Sequence, residues 1–475
     1  MRQLSRHDAS FLDADTLHAN ANVTFVQIYD QSTVPGGVLR FKTILAHIQG
    51  RLHRSPIFRS RLLRVPLEID EPYWVEDEDF DLEYHVRQIA LPRPGDWRQF
   101  RIQASRIHAR ALDLNRPLWE IYVIEGLDSI AELPPGSFAM LTKIHHAAID
   151  VESRNEFVEV LHDTTRRPRK PEPAEPWFPE RPPGPASLLG RAALHCLTSP
   201  TRLLRPLRRA APATLAFARD LLHPERHLTA TRFNAVVSPH RVFDTRRFLV
   251  EEFEAIRALV DGATLDDAVL AVCAGGLRRY LRAHAELPKA ELSANVPLAI
   301  GEDAGADAAV RRIGIGSDVE DPVQRLARIR EQTAEAPRPA PERPLPLPCC
   351  SVTHVTAPAV PVYLHGARMS YFSAILPICD GMGLVFAVTR YDGRIVVSPT
   401  SCRELMPDPQ FFTQCVRDSF QEYLALARAA PVLRRSGARA SASGRARPSA
   451  RTARNGATRP PAAPAGRRRS TAPRR

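Results

Sequence analysis

The chain has 475 residues and a mass of 52.9 kDa, and it is 44% hydrophobic and 25% charged, enough for two or three ordinary domains with buried cores. Its formal net charge of +12 suggests a nucleic-acid binder, yet no acidic residue follows Glu422 and the stretch Arg428 to Arg475 holds 14 arginines, so removing those leaves a body of about −2. The basicity belongs to a tail with no aromatic residue for base stacking, which argues against nucleic acid as the partner. No uninterrupted apolar run reaches the roughly 18 residues of a membrane span. The start, MRQLSRHDASF, carries charges where a secretory signal has its apolar segment. Seven scattered cysteines without a CxxC pair suit neither a disulfide framework nor a metal clip, and a reducing cytoplasm is expected.

In chain order, residues 1–163 read as one α/β unit. Ile44, Leu45, Ile48 and Leu52 at helical spacing predict a helix over residues 41–63, and Phe100, Ala104, Ile107 and Ala111 predict another over 97–112. Residues 119–124 (WEIYVI) and 137–144 (SFAMLTKI) read as strands, followed by a helix over about 152–162. Eight prolines in the 18 residues from Pro168 to Pro185 exclude a helix or central strand there, so residues 164–239 read as a linker and a crossover segment. Within it, residues 186–222 have basic helical character, open to two readings: a helix on a membrane surface, or one packed across the domain junction.

A second α/β unit is expected over residues 240–428. Helices are predicted at 253–260 and 265–281, strands at 295–300, 384–389 and 394–398, and a closing helix at 408–427. A second proline-dense stretch lies between Ala334 and Leu347. Residues 429–475 have almost nothing to bury and are expected to be disordered.

The sharpest chemical feature is His145-His146-Ala147-Ala148-Ile149-Asp150, at the predicted end of a strand. Neighbouring side chains there point to opposite sides, so at most one histidine faces a given cavity. An imidazole can take a proton from an alcohol or thiol near neutral pH, and Asp150 can fold back to fix the turn. The residues alone leave two alternatives open: histidines that fill a polar junction, or a metal held by His146 and Asp150, for which no third ligand stands nearby.

Around this doublet the sequence resembles the bacterial wax ester synthase/diacylglycerol acyltransferase family over most of residues 1–428. The resemblance is carried by LSRHDASFLDADT (Leu4 to Thr16), by Asn115-Arg116-Pro117-Leu118-Trp119-Glu120 with its following strand, by HHAAID, by TLDDAVLAVCAGGLRRYL (Thr264 to Leu281), VPLAI (Val296 to Ile300), VYLHGARM (Val362 to Met369) and LMPDPQFF (Leu405 to Phe412), in the family's order. It implies two similar coenzyme A-dependent, chloramphenicol acetyltransferase-like α/β domains with a tunnel between them. It further implies acyl-CoA as co-substrate, with no bound cofactor and no metal, and diacylglycerol or a fatty alcohol as acceptor, met at a membrane or lipid-droplet surface by a cytoplasmic, peripherally associated enzyme. On that likeness His146 is the general base, His145 a neighbour that orients or packs, and Asp150 a brace for the loop. Pro117, Leu118, Trp119, Asp266 and Asp267 would then contact substrate. Read by themselves, Trp119 is a core residue of a buried strand and the two aspartates are helix-start acids. The sequence also departs from the family: Val151 replaces the glycine after the motif, Asp266-Asp267 stands for an Asn-Asp pair, and the stretch between Thr333 and Ser351 is shortened. These departures motivate a second reading, a relative that binds acyl-CoA or lipid without turnover.

Overall fold

Strands apolar on both faces must be covered on both faces, and this requirement shapes the molecule. The computed structural model describes residues 1–149, 156–168, 177–198, 230–297, 310–334 and 347–443. Its first half contains β1 (Arg2–Gln3), α1 (Arg6–Ala14), β2 (Asn22–Asp30), α2 (Phe41–Gln49), β3 (Ser60–Leu63), β4 (Tyr73–Glu76), α3 (Leu82–His85), β5 (Val86–Ala90), α4 (Trp97–Ala109), β6 (Trp119–Glu125), β7 (Phe138–His145), α5 (Glu156–Leu161) and α6 (Pro185–Thr198). The second half follows with β8 (Arg241–Phe243), β9 (Arg246–Leu249), α7 (Val250–Arg257), α8 (Leu265–Ala283), β10 (Ser293–Pro297), β11 (Val310–Gly314), α9 (Pro322–Ala334), β12 (Pro348–Val355), β13 (Tyr363–Leu364), β14 (Ala367–Ile375), β15 (Val385–Tyr391), β16 (Arg394–Cys402) and α10 (Pro409–Ser443).

Among the described residues these strands form two large sheets and a small one of order β1-β4-β3. The first large sheet runs β13-β14-β2-β7-β6-β5, and the second runs β11-β10-β12-β15-β16-β8 with β9 also paired to β16. One strand pair therefore crosses the line between the halves: β14, from the C-terminal half, lies antiparallel to β2 with Met369 opposite Tyr29. Met1–Arg428 forms one compact unit. In β7, Phe138, Met140 and Ile144 enter the core shared by both halves. Ala139 and Leu141 face the other way, against Phe100, Ala104 and Ile107 of α4.

Several expectations need correction. The helix expected over residues 41–63 stops at Gln49; Gly50 caps it, and 3-10 turns at Leu52–Arg54 and Pro56–Arg59 lead into β3. Pro56, which has no N–H to donate, starts one of those turns instead of continuing the helix. The closing helix continues through the first part of the segment expected to be disordered, to Ser443, where alanine and arginine are both strong helix formers; residues 444–475 lie outside the described residues. Of the basic stretch 186–222, α6 covers the first part and buries Leu188 and Ala192 against Val65, Tyr73 and Val75. Residues 199–229 are outside the described ones. No helix among the described residues is long and apolar enough to cross a membrane.

Candidate active site

The histidine doublet sits where β7 leaves the sheet and turns through a short 3-10 helix, His146–Ala148. Two strand ends grip it. The His145 N–H donates to the Leu118 carbonyl at 3.0 Å, and the His146 N–H donates to the Ala21 carbonyl at 2.8 Å. The Pro117-Leu118-Trp119 stretch thus holds the loop through its backbone. Trp119 itself has 0% exposure: its indole N–H donates to the Phe58 carbonyl at 3.0 Å and its ring stacks on His85. Both contacts belong to the core.

His145 is 1% exposed, and its partners fix its tautomer. Nδ1 accepts the Ala147 N–H at 3.1 Å, so the ring proton resides on Nε2 and is donated to Asp15 Oδ2, also at 3.1 Å. The other Asp15 oxygen accepts the Ala21 N–H at 2.7 Å, tying the end of α1 to the same junction. With both nitrogens engaged, His145 orients the loop and has no lone pair free to act as a base.

His146 is its opposite. Its ring lies flat against Phe11 of α1, centroids 3.7 Å apart and planes 22° from parallel. Its Nδ1 is buried with no hydrogen-bond partner among the described residues. Burial, aided by His145 and His7 nearby, lowers its pKa to about 4, so the imidazole is neutral at pH 7. An unpartnered buried nitrogen costs about 1–3 kcal/mol, and such groups mark sites kept ready for another partner. A cavity of about 440 Å³ reaches this turn at Ala147 and Ala148, with Trp74, Ile57 and Asp8 on its other walls. Asp150 and Val151 lie outside the described residues.

The acids at the start of α8 belong to the helix. Thr264 and Asp267 form a reciprocal capping box, and the second Asp267 oxygen accepts the Thr333 hydroxyl at 2.6 Å. Asp266 is exposed and stands 3.7 Å from His354. Both oxygens of Asp267 are thus engaged, one by its own cap and one by Thr333. Among the described residues no group of three or more His, Cys, Asp and Glu is arranged to hold a metal. Sequence reasoning missed Asp15 and Phe11, although both lie in the LSRHDASFLDADT stretch it singled out.

Two large sheets, one of them completed by strands from the C-terminal half, give this chain a mixed α/β fold that is seen in solved structures of a wax ester synthase and of a condensation domain. The chain matches the wax ester synthase/diacylglycerol acyltransferase from Marinobacter aquaeolei VT8 with a TM-score of 0.65, at 23% identity over 90% of this chain and 99% of that one. It matches the first condensation domain of the calcium-dependent antibiotic synthetase with a TM-score of 0.50 at 13% identity, over 90% and 96%. Sequence narrows the class. The profile described as the wax ester synthase/diacylglycerol acyltransferase catalytic domain fits residues 4–269, and that of the WS/DGAT C-terminal domain fits residues 342–423. A Mycobacterium tuberculosis (strain H37Rv) protein provisionally named a diacylglycerol O-acyltransferase is 30% identical over 86% of this chain and 87% of its own length. A second from the same strain, also provisionally so named, is 30% identical over 75% and 84%. The chain belongs to the wax ester synthase/diacylglycerol acyltransferase family of acyltransferases.

Proposed function

We propose that the protein moves a long-chain acyl group from acyl-CoA to the hydroxyl of diacylglycerol or a fatty alcohol, with His146 as the general base. The observation that carries the reading is the His146 imidazole: neutral at pH 7, its Nδ1 buried and unpartnered, held at a strand end beside a cavity. It takes the hydroxyl proton as the acceptor oxygen attacks the thioester carbonyl. The tetrahedral intermediate collapses, the C–S bond breaks, and the imidazolium returns the proton to the departing CoA sulfur. No covalent enzyme intermediate and no resident cofactor enter this scheme; acyl-CoA is a co-substrate. Asp150 would hold the loop in shape. The acceptor is a lipid, so the enzyme works as a peripheral protein at a membrane or lipid-droplet surface.

Purified protein given long-chain acyl-CoA and either acceptor is expected to release free CoA. His146→Ala is expected to lower that release by at least about a hundredfold, the low end of what general-base catalysis supplies. A variant as active as the parent removes His146 from the role. Acyl-CoA binding without CoA release for any acceptor identifies a non-catalytic relative.

A further inference from the structure

The body of the chain is nearly neutral, yet its arginines are not evenly spent. Several are paired with carboxylates, as in Arg51–Asp163 at 2.7 Å, Arg232–Glu286 at 2.6 Å and Arg328–Glu291 at 2.7 Å. One place reverses the pattern. A groove of about 970 Å³ runs between α4 and the segments 239–242 and 403–409. Arg98, Arg101, Arg106 and Arg110 of α4, Arg241 of β8 and Arg403 line it, and no aspartate or glutamate does. Among the described residues, none of these six arginines is ion-paired to a carboxylate.

The groove is built, not merely decorated with charge. Arg101 is only 9% exposed, and its Nε is buried without a partner among the described residues. Arg241 is 6% exposed and pinned by its guanidinium to the carbonyls of Ser238 and His18, the latter at 2.8 Å. Arg110 lies over the Tyr122 ring, 5.7 Å from its centroid. Holding six guanidinium groups around one space with no carboxylate among the lining side chains is unfavourable by itself, since Asp244, Asp380 and Glu404 act on Arg101 and Arg241 only from outside the lining. It becomes favourable when a multiply charged anion fills that space, and the planar guanidinium fork suits phosphate oxygens best.

Position names the source of the phosphates. The Asn22 side chain donates to the Arg110 carbonyl at 3.1 Å, and the Asn20 side chain donates to the Ala109 carbonyl at 3.0 Å. Asn22 lies directly opposite His145 in the β2–β7 pair. The C-terminal end of α4 thus abuts the strand ends that carry the histidine doublet. An acyl-CoA has its reactive thioester at one end and its phosphates at the other, joined by a long flexible arm, and it needs an anion site beside the base, not on it.

We propose that this groove takes the phosphate-bearing nucleotide end of the acyl-CoA donor. The assignment rests on the acyl-CoA-dependent reading of the site, and the following experiment separates the two. Adenosine 3′,5′-bisphosphate is titrated calorimetrically into the full-length protein and into Arg106→Ala/Arg403→Ala, two exposed positions whose truncation leaves the core intact; Arg101→Lys serves as a second, conservative variant. CoA release is measured in parallel with a long-chain acyl-CoA and with the same acyl group on pantetheine, which lacks the nucleotide.

Bisphosphate binding by the parent that weakens by about tenfold or more in the double variant supports the groove. So does a similar rise in KM for acyl-CoA with kcat and acyl-pantetheine turnover unchanged. Equal bisphosphate affinity in parent and variants overturns it, as does an unchanged KM for acyl-CoA. Loss of binding to anionic phospholipid vesicles with bisphosphate affinity retained would make the groove a membrane contact, and also overturns it. A parent that binds bisphosphate through these arginines yet releases no CoA would keep the groove and sink the acyltransfer reading.

Discussion

Phe11 and Asp15 divide the labour of the two histidines. Asp15 engages His145 and fixes its proton on Nε2, while Phe11 covers one face of His146 and withholds water from it. Because burial dominates the lowering of the His146 pKa to about 4, the group remains a neutral base well below the usual histidine range. The kcat/KM for CoA release is therefore expected to stay level from pH 8 down to about 5 and to fall only as pH approaches 4. Phe11→Ala admits water to the ring and is expected to move that acid limb up toward the ordinary value of about 6.5. A parent profile already falling at 6.5 would show that the ring is hydrated during turnover. The doublet was legible because two histidines and an aspartate in six residues are chemically conspicuous. The roles of its partners were not: Asp15 stands 130 residues from His145 in sequence, and only the fold brings it there.

At the scale of elements, helices with one apolar face and the strongly apolar strands β6, β7, β15 and β16 were readable, whereas buried strands that mix polar residues into the run were not. The pattern of α8 was recognisable from Thr264 onward, including its acidic start. By contrast, β2 carries Thr24 and Gln27 among its apolar residues, and eight of its nine residues are buried, so no alternation of polar and apolar side chains announces it. β14 was hidden for the same reason, and its place beside β2 depends on a pairing across more than 300 residues. One feature of α8 has a direct energetic consequence. A Cβ on Gly276 would stand 2.8 Å from Val416 Cα and 2.7 Å from its Cγ2, so α10 could not pack as it does. Gly276→Ala is expected to destabilise the protein by about 1–3 kcal/mol by overpacking, even though alanine is the better helix former by about 1 kcal/mol. Thr264→Ala, which removes only the cap, is expected to cost about 1 kcal/mol. Urea unfolding of both variants checks the order; a stabilised Gly276→Ala would mean the two helices can part freely.

Across the whole molecule, the seam where β13 and β14 join the N-terminal sheet is packed with neutral histidines. Asp163, just after α5, exchanges backbone hydrogen bonds with Tyr363 at 2.8 and 2.9 Å and holds Arg51 at 2.7 Å. Around it, His162 Nε2 meets the Tyr29 hydroxyl at 2.6 Å, and His47 donates to the Leu161 carbonyl at 2.9 Å with its ring edge-on to His365. Burial lowers the pKa of both His47 and His162 to about 4, as it does for His146. In the unfolded chain the same groups titrate near 6.5. Between those values the unfolded state binds more protons than the folded one, so stability rises with pH across this window; it is fully present above about 6.5 and lost as pH falls toward 4. The thermal midpoint is therefore expected to be nearly level between pH 8 and 7 and to drop progressively at pH 6, 5 and 4.5. His47→Gln keeps a donor for the Leu161 carbonyl but cannot titrate, and it is expected to make that decline shallower. A midpoint that does not change from pH 7 to 5 would show that these histidines are already protonated in the fold, and that the seam is wetter than its packing implies.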